Sequence, residues 1–226
     1  MVTQAIAPSL ESLLATGLKA LPFQADAKQS EKLLAYIGLL QKWNRTYNLT
    51  AIREPAEMIS HHLLDSLAIL PQVQESALVR RRQVENLAFQ LADVGSGAGL
   101  PGLVLAIMQP DWQVTSIDAV DKKAAFQRQV CIELGLHNVT VVSGRVEDQS
   151  VETADVVISR AFADLADFAT LAGPLVKPGG AMLAMKGVIP HDEIARLPKP
   201  WHVSQVYPVQ VPGLDAQRHV IVLTKE

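Results

Sequence analysis

The stretch DVGSGAGLPG, residues 93–102, places Gly95, Gly97 and Gly99 at alternate positions directly after a short apolar run. Glycines this close together let a ligand approach the backbone. The dinucleotide-binding fingerprint has the spacing Gly-x-Gly-x-x-Gly, and Leu100 stands where its third glycine would be. The spacing therefore argues against a pyrophosphate ligand, and a tight strand-to-helix turn without any ligand is the alternative.

Side chains that suit a nucleoside follow the next two predicted strands. Asp118 ends the strand after the glycine loop, where an acidic side chain can accept hydrogen bonds from ribose hydroxyls. Val146 and Glu147 follow the third strand and could flank an adenine ring and accept from its amino group. Because the carboxyl ends of parallel strands meet at one sheet edge, the pattern predicts a nucleoside site without a pyrophosphate, which S-adenosylmethionine fits.

Hydrophobic periodicity predicts the elements that position these residues. One amphipathic helix is expected from about residue 26 and a second from Pro55. From residue 89, short β-branched runs alternate with helical segments over 101–109, 121–134 and 164–175, which predicts a parallel sheet flanked by helices. The last two runs, WHVSQVYPVQV and QRHVIVLTKE, predict an antiparallel hairpin. We therefore divide the chain into a helical N-terminal extension, 1–88, and an α/β domain, 89–226.

Composition narrows the class of protein. The 226 residues are 49% hydrophobic and 19% charged, as in an ordinary globular protein, and the net charge of −3 provides no broad basic field for nucleic acid. No apolar run reaches the length of a membrane span, and the N-terminus lacks the features of a signal peptide. We expect a cytoplasmic protein, a monomer that does not bind membranes. The single cysteine, Cys131, is expected to pack on the apolar side of a helix.

A series of motifs along the chain resembles one family of class I methyltransferases, the bacterial 16S rRNA guanine-N7 methyltransferases of the glucose-inhibited division protein B type. The matching stretches are KWNRTYNLT, HHLLDSL, DVGSGAGLPG, GRVED, VISRAFA, MKG and DEIARLP. The resemblance implies a Rossmann-like fold with a seven-stranded, mainly parallel sheet, an antiparallel C-terminal hairpin and a helical N-terminal extension. It also implies methyl transfer from S-adenosylmethionine to a guanine in the decoding-region loop of 16S rRNA. By position, it assigns cofactor contacts to Gly95, Leu100, Val146, Glu147 and Arg160.

The residues independently favour this type of reaction. Methylation of an exocyclic amino group commonly uses a Pro-Pro-aromatic motif after the fourth strand, where this chain has SRAFADL. Methylation at carbon 5 of a pyrimidine needs a nucleophilic cysteine, and Cys131 lies in the wrong element. Guanine N7 carries an in-plane lone pair and no proton, so its attack needs alignment and no general base. The resemblance places Arg160 beside both the cofactor and the target guanine and so implies a catalytic role for it. Asn48 is the second predicted catalytic residue, because it could hydrogen-bond a base edge, and it could instead cap a helix.

Binding of 16S rRNA or of the small ribosomal subunit requires a local cationic patch. Lys122 and Lys123 lie in the first turn of a predicted helix, where the helix dipole disfavours positive charge and a phosphate partner would explain them. Arg145, Arg160 and Lys186 follow predicted strands and could converge on the same cleft. Solvated lysines and surface salt bridges are the alternatives for these residues. A run of arginines at 80–82 offers a different RNA path.

His62 is a further predicted RNA contact. It shares a helix face with Asp65 and Ser66, at spacings of three and four residues. These side chains make a poor metal site because a third ligand is missing, so no metal is expected. Local hydrogen bonding that ties the extension to the α/β domain is the alternative interpretation.

Other function classes remain open at this point. A small-molecule S-adenosylmethionine-dependent methyltransferase is the main alternative, since a helical N-terminal lid also occurs in that group. A nicotinamide-dependent oxidoreductase is disfavoured by the missing third glycine. A noncatalytic nucleoside-binding regulator would bind the cofactor and transfer no methyl group.

Overall fold

The computed structural model describes residues 8–75, 87–150, 153–160, 162 and 164–226. Within these ranges, seven strands form one sheet in the order β3-β2-β1-β4-β5-β7-β6. The strands are β1 (Gln90–Val94), β2 (Gln113–Asp118), β3 (Val139–Ser143), β4 (Ala154–Ser159), β5 (Val176–Lys186), β6 (Trp201–Pro208) and β7 (His219–Lys225). The run of arginines at 80–82 lies outside the described residues.

The sheet is mainly parallel, as predicted. β1 pairs in parallel with β2 on one side and with β4 on the other, so that Asp93 is aligned with Ser116 and with Ile158. β7 runs antiparallel to both β5 and β6, which confirms the C-terminal hairpin. The strand order reverses between β1 and β4, and a crevice for ligands forms at such a reversal.

The described helices fall into an N-terminal group and a group that connects the strands. The first group contains α1 (Leu10–Lys19), α2 (Ala27–Tyr47), α3 (Pro55–Met58), a π-helical turn (Ile59–Leu64), α4 (Asp65–Leu67) and α5 (70–75). The second contains α6 (Gly102–Met108), α7 (Asp121–Leu134), α8 (Leu165–Ala172) and α9 (His191–Ala195), with single 3₁₀ turns at Val146–Asp148 and Gly173–Leu175. None of the helices in the described ranges has the length and apolar character needed to span a bilayer.

The long helix α2 begins and ends at clear capping residues. Asp26 accepts a hydrogen bond from the Gln29 amide while the Gln29 side chain accepts one from the Asp26 amide, which is a capping box. Asn48 closes the helix in the left-handed conformation, with φ of 50°. These two signals explain why the predicted helix agrees with the observed one.

Three elements differ from the prediction, two of them helical and one a strand. Helix α1 was not expected, although Ser9 caps it and Leu14 and Leu18 are buried on one face. The helix expected from Pro55 is interrupted by the π-helical turn between α3 and α4. Such a turn holds one residue more than an α-helical turn. Strand β5 begins at Val176 and not near Gly180, with an irregular register opposite Ala154 and Val156.

The core lies on both faces of the sheet. Leu91 of β1 belongs to one hydrophobic cluster, whereas its neighbour Ala92 belongs to the other, because successive side chains of a strand point to opposite faces. The first cluster combines residues of α2, such as Leu33 and Leu40, with residues of α6, such as Leu103. The N-terminal extension therefore shares a core with the α/β part and is held against one face of the sheet.

Candidate functional site

The glycine loop after β1 adopts a conformation that only glycine adopts easily. Gly95, Gly97 and Gly99 have φ values of 68°, 62° and 84°, in the left-handed region. A Cβ atom added to Gly97 would meet nothing within 4 Å, so this residue faces open space. The loop thus presents bare backbone at the carboxyl end of β1, where a ligand can approach it closely.

The base of the loop is fixed by Asp93. Its Oδ2 atom accepts a hydrogen bond of 2.7 Å from the Gly102 amide at the start of α6. A Cβ atom on Gly102 would lie 2.8 Å from the Asp93 Oδ2 and Cβ atoms, so glycine is required for this approach. Asp93 is completely buried, and this desolvation raises its pKa to about 7.

Two side chains from other elements hold the loop, and the sequence did not identify either of them. The Tyr36 hydroxyl of α2 donates to the Ala98 carbonyl at 2.9 Å. The Gln127 side chain of α7 donates to Ser96 Oγ and to the Gly97 carbonyl, each at 2.8 Å. The only available signal for Gln127 was its place three residues before Val130 on the buried face of α7.

Asp118 lies at the end of β2, as predicted, and is already hydrogen-bonded to the backbone. Its Oδ2 atom accepts from the Gly97 amide at 2.7 Å and its Oδ1 atom from the Val120 amide at 2.9 Å. Lys123 Nζ lies 3.8 Å from Oδ2. Each carboxylate oxygen has a second acceptor site, so Asp118 can shape the loop and also accept from a ribose hydroxyl.

The other predicted cofactor residues differ in their surroundings. Val146 is buried and Glu147 is exposed in the 3₁₀ turn after β3, whose last residue, Ser143, is aligned with Asp118. Leu100 is only 3% exposed, and it belongs to the hydrophobic core. A cofactor contact of Leu100 would therefore use its backbone.

Taken together, this edge of the sheet fits S-adenosylmethionine. Asp118 and Glu147 could offer carboxylates to the ribose and the adenine amino group, and Val146 could offer an apolar surface. The open side of Gly97 leaves room for the amino-acid end of the cofactor. Nothing in the loop requires a pyrophosphate.

Arg160 directly follows β4, beside the glycine loop. The Ser159 hydroxyl before it donates to the Val94 carbonyl at the end of β1, at 2.7 Å, which fixes the two strand ends to each other. Arg160 Nη1 donates to the His61 carbonyl and to Asp65 Oδ2, both at 3.1 Å. The π-helical turn and α4 of the extension thus supply the two acceptors that orient this arginine.

Asp65 also binds a second arginine. Arg218 Nε donates to Asp65 Oδ1 at 2.8 Å, so the buried carboxylate is paired on both oxygens. These contacts provide hydrogen bonding between the extension and the α/β part. The sequence did not identify Arg218, which lies 153 positions from Asp65.

A cavity of about 340 Å³ opens between the extension and the sheet beside Arg160. Its lining residues are Ile52, His61, His62, Asp65, Arg160, Met185, Lys186, Gly187 and Arg218. His62 is only 5% exposed and its Nε2 atom lies 2.9 Å from Thr50 Oγ1. Burial lowers the His62 pKa to about 4, so its ring is neutral at pH 7. His62 can contact only a group that enters this cavity.

The predicted cationic residues do not all lie together. Lys186 lines the cavity with Arg160, and its ammonium is bound by Glu193 Oε2 at 2.8 Å and by the Phe162 carbonyl at 3.2 Å. Arg145 is exposed after β3, on the other side of β1. Lys122 is exposed in the first turn of α7, next to Lys123.

Asn48 serves the backbone of the extension. It is the left-handed C-cap of α2, it is exposed, and its Oδ1 atom accepts a hydrogen bond of 2.7 Å from Arg53 Nη2. It is not one of the described residues that line the cavity beside Arg160. The capping alternative therefore has direct structural support.

The chain matches one known protein family over most of its length. The family model for rRNA small subunit methyltransferase G matches residues 29–221. The chain belongs to this methyltransferase G family. It is 52% identical to the ribosomal RNA small subunit methyltransferase G of Burkholderia ambifaria (strain MC40-6), over 94% of this chain and 91% of that protein. It is 51% identical to the protein of the same name from Neisseria meningitidis serogroup C, over 94% and 97%.

Solved structures support the fold. TrmN from Thermus thermophilus matches with a TM-score of 0.52 and 18% identity, over 74% of this chain and 53% of that one. A 16S rRNA (adenine(1408)-N(1))-methyltransferase from Catenulisporales acidiphilia matches with a TM-score of 0.51 and 19% identity, over 67% and 90%. The Rossmann-like class I methyltransferase fold is therefore confirmed, and membership of the methyltransferase G family confirms S-adenosylmethionine as the cofactor.

Proposed function

We propose that this protein transfers the methyl group of S-adenosylmethionine to N7 of a guanine in the decoding-region loop of 16S rRNA. The observation that carries the proposal is the juxtaposition of the glycine loop after β1 with Arg160 after β4. The bond between Ser159 Oγ and the Val94 carbonyl, 2.7 Å long, joins these two strand ends. A base that enters the cavity beside Arg160 would lie next to a cofactor held on the glycine loop.

The cavity has a suitable size and chemistry for one flipped-out base. Its volume of about 340 Å³ lies in the range of small-molecule sites. Arg160 keeps 29% of its side chain exposed while Nη1 binds Asp65 and His61. Donors of an arginine can bind the O6 acceptor of guanine, and this leaves the N7 lone pair free to react. Asp65 holds the guanidinium in place, so Arg160 can orient the base with little loss of side-chain freedom.

The proposed reaction needs alignment of three atoms. When bound, the cofactor supplies an electrophilic methyl group on a sulfonium sulfur, and the N7 lone pair forms the new bond as the carbon–sulfur bond breaks. N7 carries no proton, so no residue has to act as a base in this step. Holding the reacting atoms in line can supply roughly 7–11 kcal/mol of the barrier reduction.

Two side chains that could act as a base or as a nucleophile are unsuited to these roles. Neutral His62 has a pKa of about 4 and is too weak a base to take a proton at pH 7. Cys131 lies on α7, and burial raises its pKa to about 11, which makes it a poor nucleophile.

RNA would be bound by a cationic rim around this opening. Lys122, Lys123 and Arg145 are proposed to contact phosphates on the cofactor side, and Lys186 and His62 are proposed to lie against the base or its ribose inside the cavity. We propose Arg160 as the catalytic residue that touches the target base. Asn48 is retained as a second candidate, acting from the end of α2. We further propose that the protein acts as a cytoplasmic monomer.

The substrate class can be tested with labelled cofactor. Purified protein is incubated with methyl-labelled S-adenosylmethionine and either small ribosomal subunits or naked 16S rRNA from cells that lack this gene. We expect incorporation to approach one methyl group per 16S rRNA and none into rRNA from cells that contain the gene. Equal labelling of both rRNA preparations, or labelling of a small-molecule fraction only, would contradict the proposal.

A further inference from the structure

Gln127 is a completely buried polar side chain that the proposed reaction does not use. It lies in the middle of α7, between Ala124 and Val130 on the face that packs against the sheet. We propose that Gln127 is a positioning residue that holds the glycine loop in its cofactor-binding conformation. This inference rests on the cofactor site of the proposed function and not on the identity of the RNA base.

The hydrogen bonds of Gln127 converge on one turn of the loop. Its Nε2 atom donates to Ser96 Oγ and to the Gly97 carbonyl, both at 2.8 Å. An amide nitrogen has two protons, so both are accounted for by these acceptors. The contacts span 31 and 30 positions of sequence, and they connect α7 directly to the loop after β1.

Gly97 is consequently held by side chains on both of its backbone polar groups. The Gly97 amide donates to Asp118 Oδ2 at 2.7 Å, while the Gly97 carbonyl accepts from Gln127. Its φ of 62° is fixed between these two anchors. The open face of Gly97, with nothing within 4 Å of its added Cβ position, is the face that remains available to a ligand. Pre-organising a binding loop increases affinity because the loop pays less ordering entropy on binding.

A role in the fold alone does not account for a carboxamide at this position. Gln127 is 0% exposed, and its Oε1 atom has no hydrogen-bond partner among the described residues. A buried polar atom without a partner is destabilising, so an apolar side chain of similar size would suit the packing of α7 at least as well. The carboxamide therefore carries the cost of one buried, unpaired oxygen at the position where its nitrogen binds Ser96 and Gly97.

The test replaces Gln127 by apolar side chains of similar size in the full-length protein. The variants are Gln127→Met and Gln127→Leu. The matched control is Gln129→Leu, because Gln129 lies on the same helix and donates to Glu133 at the surface, away from the glycine loop. Affinity for S-adenosylmethionine is measured by calorimetry, thermal stability without the cofactor by melting, and kcat and KM with rRNA substrate.

We expect the dissociation constant and the KM for S-adenosylmethionine to rise about tenfold in both variants, which corresponds to about 1.4 kcal/mol. The melting temperature should shift by no more than about 2–4 °C, because removal of the unpaired Oε1 atom offsets the loss of the two hydrogen bonds. The kcat at saturating cofactor should stay within about twofold of the parent, because excess cofactor compensates for the weaker binding. Gln129→Leu should behave as the parent in every measurement.

Other results overturn the inference. An unchanged dissociation constant in both variants would show that the loop does not need Gln127. Loss of folding in both variants would show that Gln127 serves stability. A fall in kcat with an unchanged KM for the cofactor would show that it serves the chemical step. Failure of the parent protein itself to bind S-adenosylmethionine would overturn the cofactor site together with this inference, whereas parent binding without rRNA methylation would overturn only the proposed function.

Discussion

Asp65 Oδ2 accepts a hydrogen bond of 3.1 Å from Arg160 Nη1, although the two residues lie 95 positions apart. Asp65 belongs to the helical extension and is 2% exposed, whereas Arg160 directly follows β4, and both residues line the cavity between the extension and the sheet. The helical extension therefore supplies the carboxylate that holds Arg160, and the same carboxylate is also paired with Arg218.

Loss of Arg160 should reduce turnover more than it reduces binding. Arg160→Ala is expected to lower kcat by about 100-fold at saturating rRNA and cofactor, because the base loses the group that orients it. Asp65 remains paired with Arg218, so the fold should persist. The matched control is Arg196→Ala, since Arg196 is an exposed arginine paired with Asp164. A kcat equal to that of the control would remove Arg160 from the chemistry.

Gly97→Val should abolish binding of S-adenosylmethionine while the protein stays folded. The branched side chain would occupy the open face of the loop and would also sit at a φ of 62°, a strain of about 1–3 kcal/mol. Binding is measured by calorimetry and folding by circular dichroism. Gly38→Ala serves as the control, because Gly38 lies exposed in α2 with nothing near its added Cβ. Parent-like affinity of Gly97→Val would place the cofactor elsewhere.

Replacement of Lys122 and Lys123 by alanine should flatten the salt dependence of rRNA binding. Each lost phosphate contact should lower the magnitude of the logarithmic slope by about 0.7–0.9. Cofactor affinity should change little. Lys186→Ala should have a smaller effect on the slope, because Glu193 lies 2.8 Å from its ammonium and already neutralises it.

A lysine at the opposite edge of the sheet provides the control for these variants. Lys177 lies at the beginning of β5, while Lys186 lies at its end. Lys177→Ala should leave the salt slope as in the parent. If the double variant Lys122→Ala, Lys123→Ala also leaves the salt slope of rRNA binding unchanged, these lysines form a solvated face and the RNA binds elsewhere.

Asp93 should make stability depend on pH in an unusual direction for a carboxylate. Its pKa is raised from 3.8 to about 7 in the folded state, so the folded protein binds more protons than the unfolded chain between these values. The contribution of Asp93 is therefore fully present below about pH 4 and is lost as the pH rises towards 7. His62 acts in the opposite sense, because its pKa is lowered from 6.5 to about 4 in the folded state. Its contribution to stability is present above pH 6.5 and is lost as the pH falls towards 4.

The Asp93 contribution is isolated by comparing the parent with Asp93→Asn. The free energy of unfolding, measured with urea between pH 4.5 and pH 7.5, should favour the parent most at the acidic end, and the difference should shrink as the pH rises. His62 is present in both proteins and cancels in the difference. Asp111→Asn, at an exposed position, should show no such trend. A difference that does not vary with pH would contradict the assignment.

Local signals explain which parts of the fold could be predicted. The bounds of α7, 121–134, agree with the structure because Gly135 provides a left-handed C-cap after an amphipathic run. The π-helical turn could not be predicted, since one inserted residue does not change the apolar periodicity enough to be seen. Helix α1 does carry a local signal in the sequence, because Ser9 is an ordinary N-cap and Leu14 and Leu18 share its buried face.

Strand ends explain which parts of the candidate site could be predicted. The glycine loop, Asp118 and Arg160 each end or follow a strand, and the parallel sheet brings their positions to one edge. The partners of these residues come from distant segments: Tyr36 holds the loop from α2, and Asp65 binds Arg160 from α4. No pattern within a short stretch of sequence encodes such pairs, because they depend on how the extension packs against the sheet.

The central claim, methyl transfer to guanine N7, is tested most directly by locating the new methyl group on the RNA. Small ribosomal subunits from cells without this gene are treated with the protein and S-adenosylmethionine, and their 16S rRNA is reduced with borohydride and cleaved with aniline. This chemistry cuts the chain at 7-methylguanosine. We predict one new cleavage, at a guanine in the decoding-region loop, that forms about 100-fold more slowly with Arg160→Ala. Methyl incorporation without that cleavage would contradict it.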